Sequence, residues 1–408
     1  MLIRKLGIDV LTAARQRIAW TFDRFERFYI SFSGGKDSTI MVHLVMEEAI
    51  KRKQKVGLFF LDWECQFTLT IEHVREIFNL YAEHIIPYWV AVPIRTWNGC
   101  SQFEPEWVAW EQEKKPLWVR EPDPMSITDP SAFPFYTHNM MFEEFVPAFG
   151  QWFSEGKMCA NFIGIRTAES LNRFRTLATI QKPMVDKKRY TTLVEGNQWN
   201  VYPIYAWRAQ DDWTYYGKFR KPYNKLYDRM YQAGLTLHQM RIDEPFGDTQ
   251  RQGLWLYQII EPILWGKMCL RVAGANTGAL YGEERGNILG NKSISLPEGH
   301  TWKSFAEFLL NTMPPKTAEH YKNKISVYLR WHLVRAYPDG IPDCLQHDLG
   351  SHDIPSWRRI CKVLLRNDYW CKGLCFSPTK TSAYEKYQAL MKKRRDNWNI
   401  FPTQESAE

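Results

Sequence analysis

Between residues 27 and 230 short apolar runs alternate with stretches of helical periodicity, and few architectures accept that alternation. "KVGLFFLD" is apolar without interruption, the mark of a strand covered on both faces of a parallel sheet. "RFYISF" is a first β-rich run, and "IIPYWVAVP", "MCANFIGIR" and "WNVYPIYAW" supply a third, fourth and fifth. Between them, "KDSTIMVHLVMEEAIKRK" carries Ile40, Val42, Leu44, Val45 and Ile50, and "FTLTIEHVREIFNLYAEH" spaces Leu69, Val74, Ile77 and Leu80 as a helix does. Strands alternating with helices build βαβ units, so the expected fold is α/β, an open parallel sheet with helices on both faces.

The pattern changes twice. From about 93 to 140 a Trp- and Pro-rich stretch, "IRTWNGCSQFEPEWVAWEQEKKPLWVREPDPMSITDPSAFPFYTHNM", reads as an insertion at the carboxyl edge of the sheet, where such folds bind ligands. A well-packed excursion without a ligand fits the same residues. Beyond about 225 the alternation gives way to amphipathic helices separated by Gly and Pro, such as "WKSFAEFLLNTM" and "SWRRICKVLLRNDYWCKGL". The expected domains are 1–230, which includes the insertion, and a mainly helical 231–408.

Charge follows this division. Residues 301–408 hold 17 Lys and Arg against 11 Asp and Glu, so +6 of the net +8 lies in the last quarter, with a dense cluster in "KKRRDNW". A basic C-terminal domain fits an anionic partner such as nucleic acid, or a solvated face. Eight cysteines are too sparse for a disulfide scaffold. Cys344 and His347 with Cys371 and Cys375 have spacings too irregular for an ordinary zinc site. No stretch nears the roughly 18 apolar residues of a membrane span, and the first twenty residues lack the apolar core of a signal peptide. A cytosolic, cytoplasmic chain without membrane contact is expected.

The sharpest local signal is "SFSGGKDS", directly after a strand and directly before a helix. Gly34 and Gly35 let backbone approach a phosphate closely. Ser33 and Ser38 offer hydroxyls, Lys36 a point charge, and the following helix its free N–H groups and dipole. The turn is neither a Walker loop nor the dinucleotide fingerprint G-x-G-x-x-G. Asp62 ends the second strand, placed to hold a ribose hydroxyl or a metal, or to cap the next helix. Arg166 and Arg173 follow the fourth strand, with Glu169 between them as a partner for either, and arginine forks suit phosphate oxygens.

Ser33-Gly34-Gly35-Lys36-Asp37-Ser38 resembles the pyrophosphate-binding (PP) loop of the adenine nucleotide alpha hydrolase superfamily, and further segments are similar to its phosphoadenosine phosphosulfate (PAPS) reductase branch. These are "LFFLDWECQFTLTIEHV"; "IGIRTAESLNRF" with Gly164, Arg166, Glu169, Ser170 and Arg173; and "YPIYAWRAQDDWTYY" with Pro203, Ile204, Trp207, Asp212 and Trp213. The resemblance spans about residues 25–230. It implies binding of ATP or a related adenine nucleotide, with Mg²⁺, by Ser33, Gly34, Gly35, Lys36, Asp37, Ser38, Asp62 and Arg166. The branch's Glu-Cys-Gly-x-His segment, which carries the reductase nucleophile, is missing, so sulfonucleotide reduction has no attacking thiol.

Two function classes follow. Cleavage between the α- and β-phosphates, as in an ATP pyrophosphatase or adenylyl-transfer enzyme acting on nucleic acid or protein, would use Lys36, Arg166 and Arg173 as catalytic cations. No nucleophile is visible for it. The whole chain also resembles PAPS reductase-like proteins with an extra C-terminal domain, nearest the immunoglobulin-binding regulator A type of enteric bacteria. That likeness implies a nucleotide-binding co-activator of prophage gene expression beside a ParB-like companion protein, with nucleic acid a further partner for the basic C-terminal domain.

Overall fold

The computed structural model describes residues 7–101, 103–179, 182–247, 250–280, 294–313, 315–335, 337–349, 354–366, 368 and 371–375. The basic cluster at 392–398 lies outside them. Helix α1 (Val10–Arg24) opens the chain, capped by Asp9, whose carboxylate accepts from the N–H groups of Leu11 and Thr12. Strands β1 (Arg27–Phe32), β2 (Val56–Leu61) and β3 (Ile85–Val90) follow, joined through α2 (Lys36–Lys51) and α3 (Thr68–Leu80). The insertion forms an antiparallel hairpin, β4 (Ile94–Trp97) and β5 (Glu106–Ala109). Then come α4 (Phe142–Ser154), β6 (Cys159–Ile163), α5 (Leu171–Ala178), β7 (Thr191–Glu195) and β8 (Gln198–Val201). Helices α6 (Ala209–Phe219), α7 (Leu226–Gln232), α8 (Trp255–Ile260), α9 (Pro262–Arg271) and α10 (Ala275–Leu280) complete this part.

The six-stranded sheet has the order β3-β2-β1-β6-β8-β7, with every pairing parallel except β7 on β8. Its architecture is the open, mostly parallel α/β sheet expected from the alternation. The antiparallel edge was missed, although "EGNQ" between two apolar runs carries a hairpin signal in Gly196, which turns with a φ of 50°. The chain proceeds from β1 to β2 and β3 on one side, then returns to β6 on the other side of β1. That reversal puts a crevice at the carboxyl ends of β1 and β6.

Strand side chains alternate between two cores. Phe28, Ile30 and Phe32 of β1 with Phe60 of β2 and Trp89 of β3 pack under α1, α2, α3 and α6. Tyr29, Phe59 and Val90 point the other way, against α4, the insertion and residues 226–275. The insertion's Trp107 and Trp110 are buried in this second core.

The chain divides into two compact units, Met1–Gly282 and Glu283–Glu408. The boundary expected at 230 thus falls within the first unit, and the reason is packing. Met240, Phe246, Leu254, Tyr257, Trp265 and Met268 belong to its second core. Arg271 of α9 is buried with Glu64 of the β2–α3 loop, donating to both carboxylate oxygens at 2.8 and 3.0 Å. Glu64 also accepts the N–H groups of Trp110 at 2.8 Å and Val119 at 3.4 Å from the insertion. The second unit contains α11 (Trp302–Thr312), α12 (Pro315–Arg335) and α13 (Trp357–Leu365) around Trp302, Tyr321, Tyr328, Ile360 and Leu364. It is helical, as predicted, and Cys361 lies in its core. Among the described residues no helix is long and apolar enough to cross a membrane.

Candidate functional site

The Ser33–Ser38 turn is tied together by its own hydroxyls. Ser33 N–H donates to Ser38 Oγ at 3.2 Å, the two Oγ atoms are 3.0 Å apart, and Ser38 and Thr39 hydroxyls both reach the Gly35 carbonyl. Thr39 donates to that carbonyl, so it accepts from His73 Nε2 at 2.9 Å. Glycine is needed for close approach at two places, once in the turn and once in the loop after β6. Gly34 has a φ of 74°, where an added Cβ would also meet Thr70 Cγ2 at 2.9 Å. A Cβ on Gly164, in the loop after β6, would meet the Asp37 carbonyl and the Ser38 N–H at 2.9 Å, so the two loops bordering the crevice touch backbone to backbone.

Residues of the turn line a cavity of about 290 Å³ at the carboxyl ends of β1, β2 and β6. Phe59, Leu61, Trp63, Phe142 and Val146 give it an apolar wall; Glu169 and Arg173 line another side. The remaining wall was not anticipated from the sequence: Tyr227 of α7 and the segment Arg241–Glu244. These residues stand far along the chain from the turn and carry no local signature; only packing brings them in.

Of the three expected cations, Lys36 and Arg173 line the cavity and Arg166 does not, and of the turn Gly34 does not line it either. Lys36 is buried. Its Nζ lies 3.3 Å from the Met240 carbonyl and 3.3 Å from Asp37 Oδ2, and its N–H donates to the Tyr227 hydroxyl at 2.9 Å. Arg166 is buried, paired with Asp37 and 3.3 Å from Asp212. Burial works to raise the Asp37 carboxyl, but Lys36 and Arg166 outweigh it and hold it below the usual range. For Asp212 burial dominates and the neighbouring Asp37 adds to it, pushing its carboxyl well above that range. Arg173, not Arg166, takes Glu169 as its ion-pair partner.

Asp62 stands apart from this group. It is buried, and its carboxylate accepts from Trp89 Nε1 at 2.9 Å, the Glu64 N–H at 2.9 Å, and Arg120. Leu61 and Trp63 line the cavity and Asp62 does not. The residue before α3 is Phe67, so Asp62 is not that helix's cap either. The expected ribose or metal contact gives way to a structural role, fixing the β2–α3 loop.

No cysteine of the first unit, Cys65, Cys100, Cys159 or Cys269, lines the cavity. Burial raises the thiols of Cys65, Cys159 and Cys269 above their ordinary value. The other four cysteines lie in the second unit and form no disulfide, and no cluster of three or more His, Cys, Asp or Glu able to hold a metal occurs among the described residues.

A glycine turn at a helix N-terminus, set in the crevice where the strand order reverses, defines an open α/β domain with a turn suited to an anion at its switch point. Residues 27–233 match the family model of the phosphoadenosine phosphosulfate reductase domain, and the chain belongs to that family. Residues 234–336 and 333–385 match a domain of unknown function (DUF3440). An uncharacterized protein, YbdN, of Escherichia coli strain K12 is 48% identical over 398 residues, 97% of each chain. An uncharacterized protein of Methanocaldococcus jannaschii, MJ0066, is 25% identical over 220 residues, which are 51% of this chain and 35% of that protein. Among solved structures, a Candida auris PAPS reductase in a phosphate complex aligns at a TM-score of 0.31 and 15% identity, covering 53% of this chain and 84% of that one. A Candida glabrata FMN adenylyltransferase with FMN and an ATP analogue aligns at 0.33 and 14%, covering 53% and 58%.

Proposed function

We propose that this chain binds an adenine nucleotide, ATP foremost, with its phosphates at the Ser33–Ser38 turn, and that it works as a nucleotide-responsive regulator rather than a sulfonucleotide reductase. The observation that carries the reading is the turn itself: Ser33, Gly35, Lys36, Asp37 and Ser38, at the N-terminus of α2, line one cavity with Arg173. The lack of a cysteine among the cavity's lining residues supports setting reduction aside. Mg²⁺ would arrive on the phosphates, because Asp37 is already committed to Arg166 and Lys36. The co-activator role in prophage gene expression, with a ParB-like companion protein and nucleic acid as partners, rests on the whole-chain resemblance and on the +6 charge of residues 301–408.

A second reading is α–β phosphate cleavage with adenylyl transfer, supported by Lys36 and Arg173 on the cavity as charge-stabilising groups, with Arg166 acting on the turn through Asp37. Calorimetric titration of ATP with Mg²⁺ into wild type and Gly35→Asp, followed by a pyrophosphate assay, separates the two. Binding without release supports the regulator; release of pyrophosphate supports the enzyme; equal behaviour of wild type and Gly35→Asp removes the turn from both.

A further inference from the structure

Three cations line the cavity, Lys36, Arg173 and Arg241, and their commitments differ. Lys36 is held by the Met240 carbonyl and Asp37, and Arg173 is paired with Glu169. Arg241 donates one terminal nitrogen to the Glu169 carbonyl oxygen at 3.1 Å and makes no ion pair among the described residues. Its guanidinium shares the neighbourhood of Arg173, whose own value is lowered, by burial first, with Arg241 and Arg166 adding repulsion against the pull of Asp243 and Asp37. The Asp243 carboxylate lies near both guanidiniums, and a phosphate oxygen between the two forks would add charge-assisted bonds to each. The arrangement is built, not incidental: the Glu169 residue that pairs with Arg173 through its carboxylate also holds Arg241 through its carbonyl.

We infer that Arg241 and Arg173 form an anion clamp on the cavity beside the glycine turn, so that the ligand is a nucleotide with at least two phosphoryl groups, one at the turn and one at the clamp. This rests on the nucleotide reading above. Planar forks suit the oxygens of a terminal phosphate better than an ammonium would. Arg241 lies beyond residue 233, so the segment that matches only a domain of unknown function contributes a specificity residue to the nucleotide site.

The test uses the full-length chain, wild type, Arg241→Ala and Arg241→Lys, titrated with ATP, ADP, AMP and inorganic pyrophosphate, with thermal midpoints measured alongside. Loss of charge-assisted bonds should weaken ATP, ADP and pyrophosphate roughly 10- to 100-fold in Arg241→Ala and AMP by a smaller factor, with partial recovery in Arg241→Lys and an unchanged midpoint. Unchanged ATP affinity, or an equal loss for ATP and AMP, overturns the clamp and leaves the nucleotide reading intact. Pyrophosphate binding that depends on Arg241 while no nucleotide binds would sink the nucleotide reading and keep the clamp. Wild type binding none of the four overturns both.

Discussion

Replacing Tyr227 by Phe should move stability and nucleotide affinity in opposite directions. The Tyr227 hydroxyl accepts the Lys36 N–H at 2.9 Å, and that N–H belongs to the first residue of α2, the place where a helix N-terminus presents donors to an anion. Tyr227→Phe removes the acceptor from the ligand-free state and keeps the ring. An orphaned buried donor costs about 1–3 kcal/mol, and we take the low end, about 1 kcal/mol, because Tyr227 borders a cavity that water can enter. A unit of this size then melts about 2 °C lower without ligand. If a phosphate oxygen takes over the N–H in the complex, the bound state loses nothing, and the same 1 kcal/mol reappears as about fivefold tighter binding. Differential scanning fluorimetry without ligand and calorimetric titration with ATP measure the two sides. A lower melting point with weaker binding would refute the reasoning, since it would mean that the hydroxyl holds the ligand rather than its place.

Gly164→Ala should cost about 1–3 kcal/mol and abolish measurable ATP binding, because its Cβ would press on the Asp37–Ser38 backbone; urea unfolding with titration checks both. Lys36→Met should weaken ATP binding at least tenfold and also lower the melting point, since the ammonium is buried between the Met240 carbonyl and Asp37; an unchanged affinity would remove Lys36 from the site. Burial holds His43 down at about 4 and His73 at about 3, so the unfolded chain takes up protons first, near pH 6.5. The stability these two histidines contribute is therefore full above pH 6.5 and falls as pH drops from there toward about 4, by about 1.4 kcal/mol per pH unit for each histidine; the slope between pH 6 and 5 should shrink by about that amount in His73→Gln.

The sheet was legible because burial on both faces writes itself into contiguous runs, as in "KVGLFFLD", and the glycine turn because its chemistry occupies six consecutive residues. The β7–β8 hairpin was legible but passed over. What escaped was set by distance along the chain. Tyr227, Arg241 and Glu244 reach the cavity only because residues 226–275 pack on the same core face as α4. Asp62 misled for a related reason: its position at a strand end suits a ligand contact, but Trp89, Arg120 and the Glu64 N–H claim its oxygens first, and none of those contacts is local in sequence apart from Glu64. Lys36 shows the same limit, since a lysine in a turn reads as solvated until the segment carrying Met240 covers it.

The ion pair of Glu64 and Arg271 joins stretches that family comparison treats as separate, one before residue 233 and one after it. A gene ending at that seam would encode a carboxylate sealed among Trp110, Val119 and apolar walls with its countercharge deleted, a defect of about 3–5 kcal/mol against a typical stability of 5–15. Joining either stretch to a partner that lacks the other half of the pair would carry the same penalty, so the seam of the two family matches is not a seam of the fold.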